Sequence, residues 1–414
     1  MKTFNLLVKF AFFSVTGLLL LSGIYGQSSV VPRQEKLLNG LKIYLFSDKS
    51  APKVSLRLRI HSGSAFDPLG KEGTMALLAR SFFPNETSRD FFRQDLGGDL
   101  EIVSNYDFIE IKASAEPENL PSLIENVSSS VINPTIDRET TEKLKKLQAA
   151  ELNSLAAKSE YIGSQAVAAR LFGTFPYGRP QLGSADSLGK IDFADLLTAK
   201  ERFLTADNAS LSITGNFDAA YTFRLVRRFF GSWLKSDKLV PSTFRQPDPP
   251  PVETQIINSS EGSYYWVAIR GLALGDADFP ASLLAARIFQ KRLAENAEVA
   301  SDRTFLSYEG HILPGAIILA WPANNEMEPQ KLSTLLSLPV GKAEFDEAKS
   351  FVMNQLSSKT IIDNWLDADT YKTASPLDLK ARADKVTLEA VQKIAAQLAS
   401  RPRAVVMLQA APGS

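Results

Sequence analysis

Between residues 236 and 252 the chain carries Pro241, Pro247, Pro249, Pro250 and Pro251 among scattered charges, and neither a helical nor a strand period runs through that stretch. A regular core cannot continue across it, so the chain must fold as one piece before and one piece after. The length agrees, because 414 residues are too many for one ordinary compact domain and suit two of roughly 200. The reading is a first domain at 27–235, a linker at 236–252 and a second domain at 253–414.

Each piece alternates strand and helix patterns. In 54–61, Leu56, Leu58 and Ile60 alternate with Arg57, Arg59 and His61, which gives a strand with one core face and one face that is wet or covered by polar contacts. Residues 71–83 place Met75, Leu78 and Phe82 at helical spacing before Pro84. Further strands are expected at 100–104, 107–114 and 209–215, with helices at 118–131, 138–158, 165–172, 193–204 and 219–233. After the prolines the pattern restarts with a strand at 264–270, a helix at 280–297 and a strand at 316–321. Helices at 342–358 and 388–400 then lead to a strand at 403–408. The expected fold class is α+β: two similar domains, each an antiparallel sheet covered by helices, from an internal duplication with little surviving identity.

The formal charge is zero and 44% of residues are hydrophobic, so nothing in the overall balance favours nucleic acid or an acidic membrane surface. Lys2 and Lys9 precede an apolar run at 10–21, and Ser22, Gly23 and Gly26 follow, which predicts an export signal at 1–26. The run is short for a membrane span, which needs about 20 residues. The chain has no cysteine, hence no lipoprotein anchor, disulfide or thiolate metal site. This suits a protein of the bacterial periplasm or exterior, with no nucleic-acid and no integral membrane partner evident.

The usual catalytic constellations are missing. His61 and His311 are far apart and each isolated in sequence, so structural roles are expected for both. The Gly-rich stretch 63–70 lacks the Lys-Ser/Thr ending of a phosphate loop, and there is no Gly-x-Ser-x-Gly elbow. Asp276 and Asp278 read as turn formers.

Several short stretches, in this order and spacing, carry a resemblance: Asn39-Gly40-Leu41, the strand ending in Gly63-Ser64, Gly73 before a helix, 176–180 (PYGRP) with Gly183, and 212–217 (SITGNF). In the second half Gly271 with Asp278 and 385–391 (KVTLEAV) fit as well. Over nearly all of the mature length the chain resembles the pitrilysin/insulinase-type zinc metallopeptidases, in the short two-domain form of bacterial zinc proteases and the mitochondrial processing peptidase. That family's signature is His-x-x-Glu-His, with a third ligand, a Glu, on a later helix. Aligned on Gly73, the first His position is Ala76, the general-base position is Ala79 and the second His position is Arg80. The third-ligand helix is similar to 138–158, where Glu151 is the candidate, in register with Leu144, Leu147 and Leu155. Two readings stay open for Glu151: an ion pair with Arg80 in the former metal position, or an exposed residue on a charged helix.

The resemblance also implies an Arg/Tyr pair that holds substrate. Arg292, Arg303 and Tyr308 lie in the corresponding, shortened segment 287–310. It further implies a strand to which peptides add, with Ile109, Ile111 and Ala113 in the matching stretch 107–114, where an ordinary core strand is the other reading. The function implied is a non-catalytic subunit, forming a clam-shell chamber for unfolded peptides with a zinc-bearing homologue. Zinc is expected only in that partner. The alternatives are a metalloendopeptidase with an unrecognised metal site and a stand-alone envelope peptide-binding or structural protein.

Overall fold

The computed structural model describes residues 31–236, 244–259, 262–299, 303–323 and 328–410. The export-signal reading at 1–26 lies outside them. In the proline-rich stretch, the described residues 236 and 244–252 form neither helix nor strand.

The first sheet contains β1 (Arg33–Lys36), β2 (Lys42–Ser47), β3 (Val54–Ile60), β4 (Leu100–Ser104), β5 (Ile109–Ala115) and β6 (Ala209–Gly215), in the order β1-β2-β6-β3-β5-β4. The second contains β7 (Gln255–Ser259), β8 (Tyr264–Arg270), β9 (Phe305–Tyr308), β10 (Ala316–Pro322) and β11 (Arg403–Ala410), in the order β7-β11-β8-β10-β9. With β1 set aside, the two orders are the same. In each half the last strand inserts between the first and second, parallel to the first and antiparallel to the second. The sheets are therefore mixed, antiparallel except for one pair each. The long crossover that a parallel pair requires is supplied by the helices in between.

In the first half those helices are α1 (Thr74–Arg80), α2 (Glu86–Gln94), α3 (Leu120–Ile132), α4 (Arg138–Leu155), α5 (Ser159–Phe172), α6 (Ala185–Lys190) and α7 (Phe193–Phe203), with α8 (Ala219–Phe230) following β6. In the second they are α9 (Phe279–Glu295), α10 (Pro329–Ser337), α11 (Lys342–Ser358), α12 (Ile361–Tyr371), α13 (Asp378–Asp384) and α14 (Leu388–Ser400). Leu56, Leu58 and Ile60 of β3 are fully buried in a core shared with α1, α3 and α8. Val267 and Ile269 of β8 lie in a second core with α9, α11 and α14.

The opposite face of each sheet is covered by a helix from the other half. Val167, Leu171 and Phe172 of α5 pack on Trp266, Ala268, Val406 and Leu408 of the second sheet. Gly163 lets that helix sit close, because a Cβ there would overlap the Trp266 indole. In return α12 covers the polar face of the first sheet: Asp363 pairs with Arg57, Asp367 with Arg59 at 2.7 Å, and Asp369 with Lys42 and the Tyr44 hydroxyl. The alternation read in β3 thus has an apolar core on one side and a salt-bridged helix on the other.

Candidate functional site

The helix α1 is fixed at its start by a buried carboxylate. Gly73 takes φ +96°, a conformation that strains any residue with a Cβ. Asp67 accepts hydrogen bonds from the Gly73 and Met75 amides at 2.8 and 2.7 Å, satisfying two of the amides that a helix start leaves unpaired. Arg179 braces the same loop by donating to the Asp67 and Ala65 carbonyls. Burial pushes the Asp67 carboxyl up to about 7, against the pull of the two amides and Arg179.

Ala76 and Ala79 are each 3% exposed and offer no donor atom to a metal. Arg80, at the end of α1, pairs its Nη2 with Glu151 Oε2 on α4 and donates from Nε to Gln148 Oε1 at 3.0 Å. Gln148 in turn donates to the Leu182 carbonyl at 2.9 Å and to the Gly73 carbonyl at 3.3 Å. This network ties the end of α1 to its beginning through α4. The inward stripe of α4 is Thr141, Leu144, Gln148 and Glu151, whereas Leu147, expected in register with Glu151, is 48% exposed. Gln148 was not singled out from sequence, although its spacing from Leu144 and Glu151 marks the same face.

These residues do not fit a zinc ion. Two positions are methyl groups, the third is a permanent cation, and the remaining carboxylate is engaged by that cation. Among the described residues no group of three or more His, Cys, Asp or Glu is placed to hold a metal.

The proposed peptide-adding strand is corrected. Ile109 and Ile111 are fully buried and Ala113 is 5% exposed on β5, an internal strand paired with β3 on one side and β4 on the other. Its backbone groups are used within the sheet, so an added strand has nothing to bond to. The last strand on that side of the sheet, among the described residues, is β4.

Of the Arg/Tyr candidates, Arg292 is buried and binds Glu344 and the carbonyls of Leu335, Leu338 and Pro339. The Tyr308 hydroxyl lies 2.8 Å from Ser282 Oγ and accepts the Leu272 amide. Arg303 is exposed. Neither Arg292 nor Tyr308 is free to hold a substrate.

The two histidines are not isolated in space. His61 lies between Thr370 on α12 and Ser210 on β6, at 3.1 and 3.0 Å, and burial with nearby Lys372 pushes its imidazole down to about 3. His311 pairs with Asp107 at 2.6 Å. The other Asp107 oxygen accepts the Tyr177 hydroxyl at 2.7 Å, and that hydroxyl accepts the Leu313 amide. Burial alone would lower the His311 imidazole, but the Asp107 carboxylate carries it above its usual range. Asp107 and His311 are 204 positions apart, a juxtaposition that no local pattern announces.

Two sheets of one topology, each covered by a helix from the other half, make up the frame, and the Arg80–Glu151 pair ties α1 to α4 within the first of them. The family model described as insulinase (peptidase family M16) matches residues 42–185, and that described as peptidase M16 inactive domain matches 190–301, together more than half of the chain. The chain belongs to the insulinase family, M16. It is similar in structure to a protease from Helicobacter pylori (TM-score 0.79, 15% identity, 92% of this chain and 100% of that one). It is equally similar to a peptidase M16 inactive domain from Pseudomonas fluorescens (TM-score 0.79, 17% identity, 92% and 98%). An uncharacterized zinc protease of Mycobacterium bovis is 24% identical over 212 residues, which is 50% of this chain and 48% of that protein, so the match spans about half the length of that relative.

Proposed function

We propose that the chain is a non-catalytic M16 subunit that pairs with a zinc-bearing homologue and encloses one side of a chamber for unfolded peptides. The observation that carries this reading is the Arg80–Glu151 pair, held by Gln148, where the family places its metal. A decayed catalyst would leave an unpaired carboxylate or a void, whereas here the Glu151 carboxylate is paired with Arg80 and Arg80 also donates to Gln148. The paired arrangement is supported by the periplasmic protease PqqL of Escherichia coli: 91% of this chain matches 47% of that protein (TM-score 0.70, 16% identity), which leaves room for a second unit of this size. Export to the envelope follows from the predicted signal. No helix among the described residues is long and apolar enough to cross a membrane. Peptides that add as a strand would do so at β4.

The test is purification of the native chain from envelope extract with its bound partners, followed by metal analysis and hydrolysis of unstructured peptides. The expected result is co-purification with a His-x-x-Glu-His homologue, with zinc and cleavage present in the complex and missing from the chain alone. Stoichiometric zinc and peptide cleavage by the chain alone would overturn the proposal.

A further inference from the structure

A net charge of zero conceals a one-signed surface on α8. From 219 to 235 the sequence contains Arg224, Arg227, Arg228 and Lys235 and no acidic residue. The helix buries Thr222, Leu225, Val226 and Phe230, which turns Tyr221 and the three arginines outward. None of these arginines has an ion-pair partner among the described residues; Arg224 lies along the Tyr221 ring and Arg228 along that of Phe229. An ordinary solvated helix mixes its signs, as α4 does with exposed Glu139, Glu142, Lys143 and Lys146. The carboxylates around α8 do not neutralise it. Asp218 caps its first turn by accepting the Tyr221 amide, the half-buried Asp207 accepts the Ser236 amide, Glu35 pairs with Arg33 on β1, and Glu125 is the exposed carboxylate of the packed helix α3.

The same helix ends in a rigid apolar point. The Asn39 side chain donates to the carbonyls of Phe230 and Trp233 at 2.8 and 3.0 Å, clamping the β1–β2 turn to the end of α8. The Trp233 indole is held inward by the Leu204 carbonyl. Leu38 and Leu234, the neighbours of these bonded residues, therefore cannot turn inward: Leu38 stands fully clear and Leu234 is 78% exposed.

We infer that this face docks on a membrane surface rich in anionic phospholipid, the arginines and Lys235 meeting the headgroups and the two leucines entering the acyl boundary beneath them. Cations flanking bare aliphatic side chains match that layered chemistry, whereas a nucleic-acid backbone offers the leucines nothing.

The test is sedimentation of the full chain with phosphatidylglycerol-containing vesicles and with vesicles of phosphatidylcholine alone. The expected result is about tenfold or greater preference for the anionic vesicles, lost at high salt. The variant R224E/R227E/R228E should lose that preference, L38S/L234S should bind severalfold less, and K143E/K146E on α4 should bind as the wild type does. All are surface changes, so unaltered melting confirms that they fold. No vesicle binding, equal retention by both vesicle types, or a preference that survives the α8 reversal would overturn the inference.

Discussion

Arg80 and Glu151 form a partly buried ion pair between α1 and α4, and that pair has an energetic signature. With the guanidinium gone, Glu151, whose side chain is 17% exposed, and the Gln148 carbonyl oxygen both lose their donor. Arg80→Met should therefore lower stability by about 2 kcal/mol in urea unfolding, more than an exposed ion pair would yield. His311 makes a second prediction. Its folded pKa lies above the usual imidazole value of 6.5, so its stabilising contribution is fully present below about pH 6.5 and is lost as pH rises through the raised value. His61, pushed down to about 3, acts in the opposite sense, since stability is lost as pH falls below 6.5, and Asp67, raised to about 7, lowers stability as pH rises from 3.8. The difference between wild type and His311→Gln removes these shared contributions. It should be largest in weakly acidic solution and shrink toward alkaline pH in unfolding titrations. At this scale the emptied motif was legible, because Ala76, Ala79 and Arg80 need only an alignment on Gly73. The Asp107–His311 contact was not, because only the fold brings those residues together.

Among the elements, the two exchanged helices show where sequence patterning stops. The helix α12 buries Leu366, but the side it lays on the first sheet also carries Asp363, Asp367 and Asp369 to answer Arg57, Arg59 and Lys42, so its apolar spacing does not announce that contact. The polar face of β3 was visible in its alternation, but the element that covers it was not. Helix α5 begins at Ser159, earlier than the expected 165, and its Gly163 lies against the Trp266 ring of the other half. Strand β5 shows the reverse problem: alternation identifies a strand without revealing whether both of its edges are paired. The contact at Gly163 gives a prediction at this scale. Gly163→Ala raises helix propensity, yet the added methyl meets the indole, so the variant should be destabilised by about 1–3 kcal/mol in thermal unfolding. Unchanged or raised stability would mean that α5 does not press on the second sheet as described.

For the molecule as a whole, duplication was legible because the pattern restarts after the proline-rich stretch, and the matching strand orders give it a structural basis. The parallel pair in each sheet was not legible, since pairing direction depends on how distant strands meet. Each half covers the other's sheet, so the two sheets are held by packing and ion pairs contributed across the halves. The central claim is that Arg80 and Glu151 have taken the place of zinc. Its most direct test is the zinc content per chain of purified wild type beside the variant A76H/A79E/R80H, in which Glu151 is released from its cation. The prediction is no bound zinc in the wild type and about one ion per chain in the variant. One tightly held zinc in the wild type would contradict it.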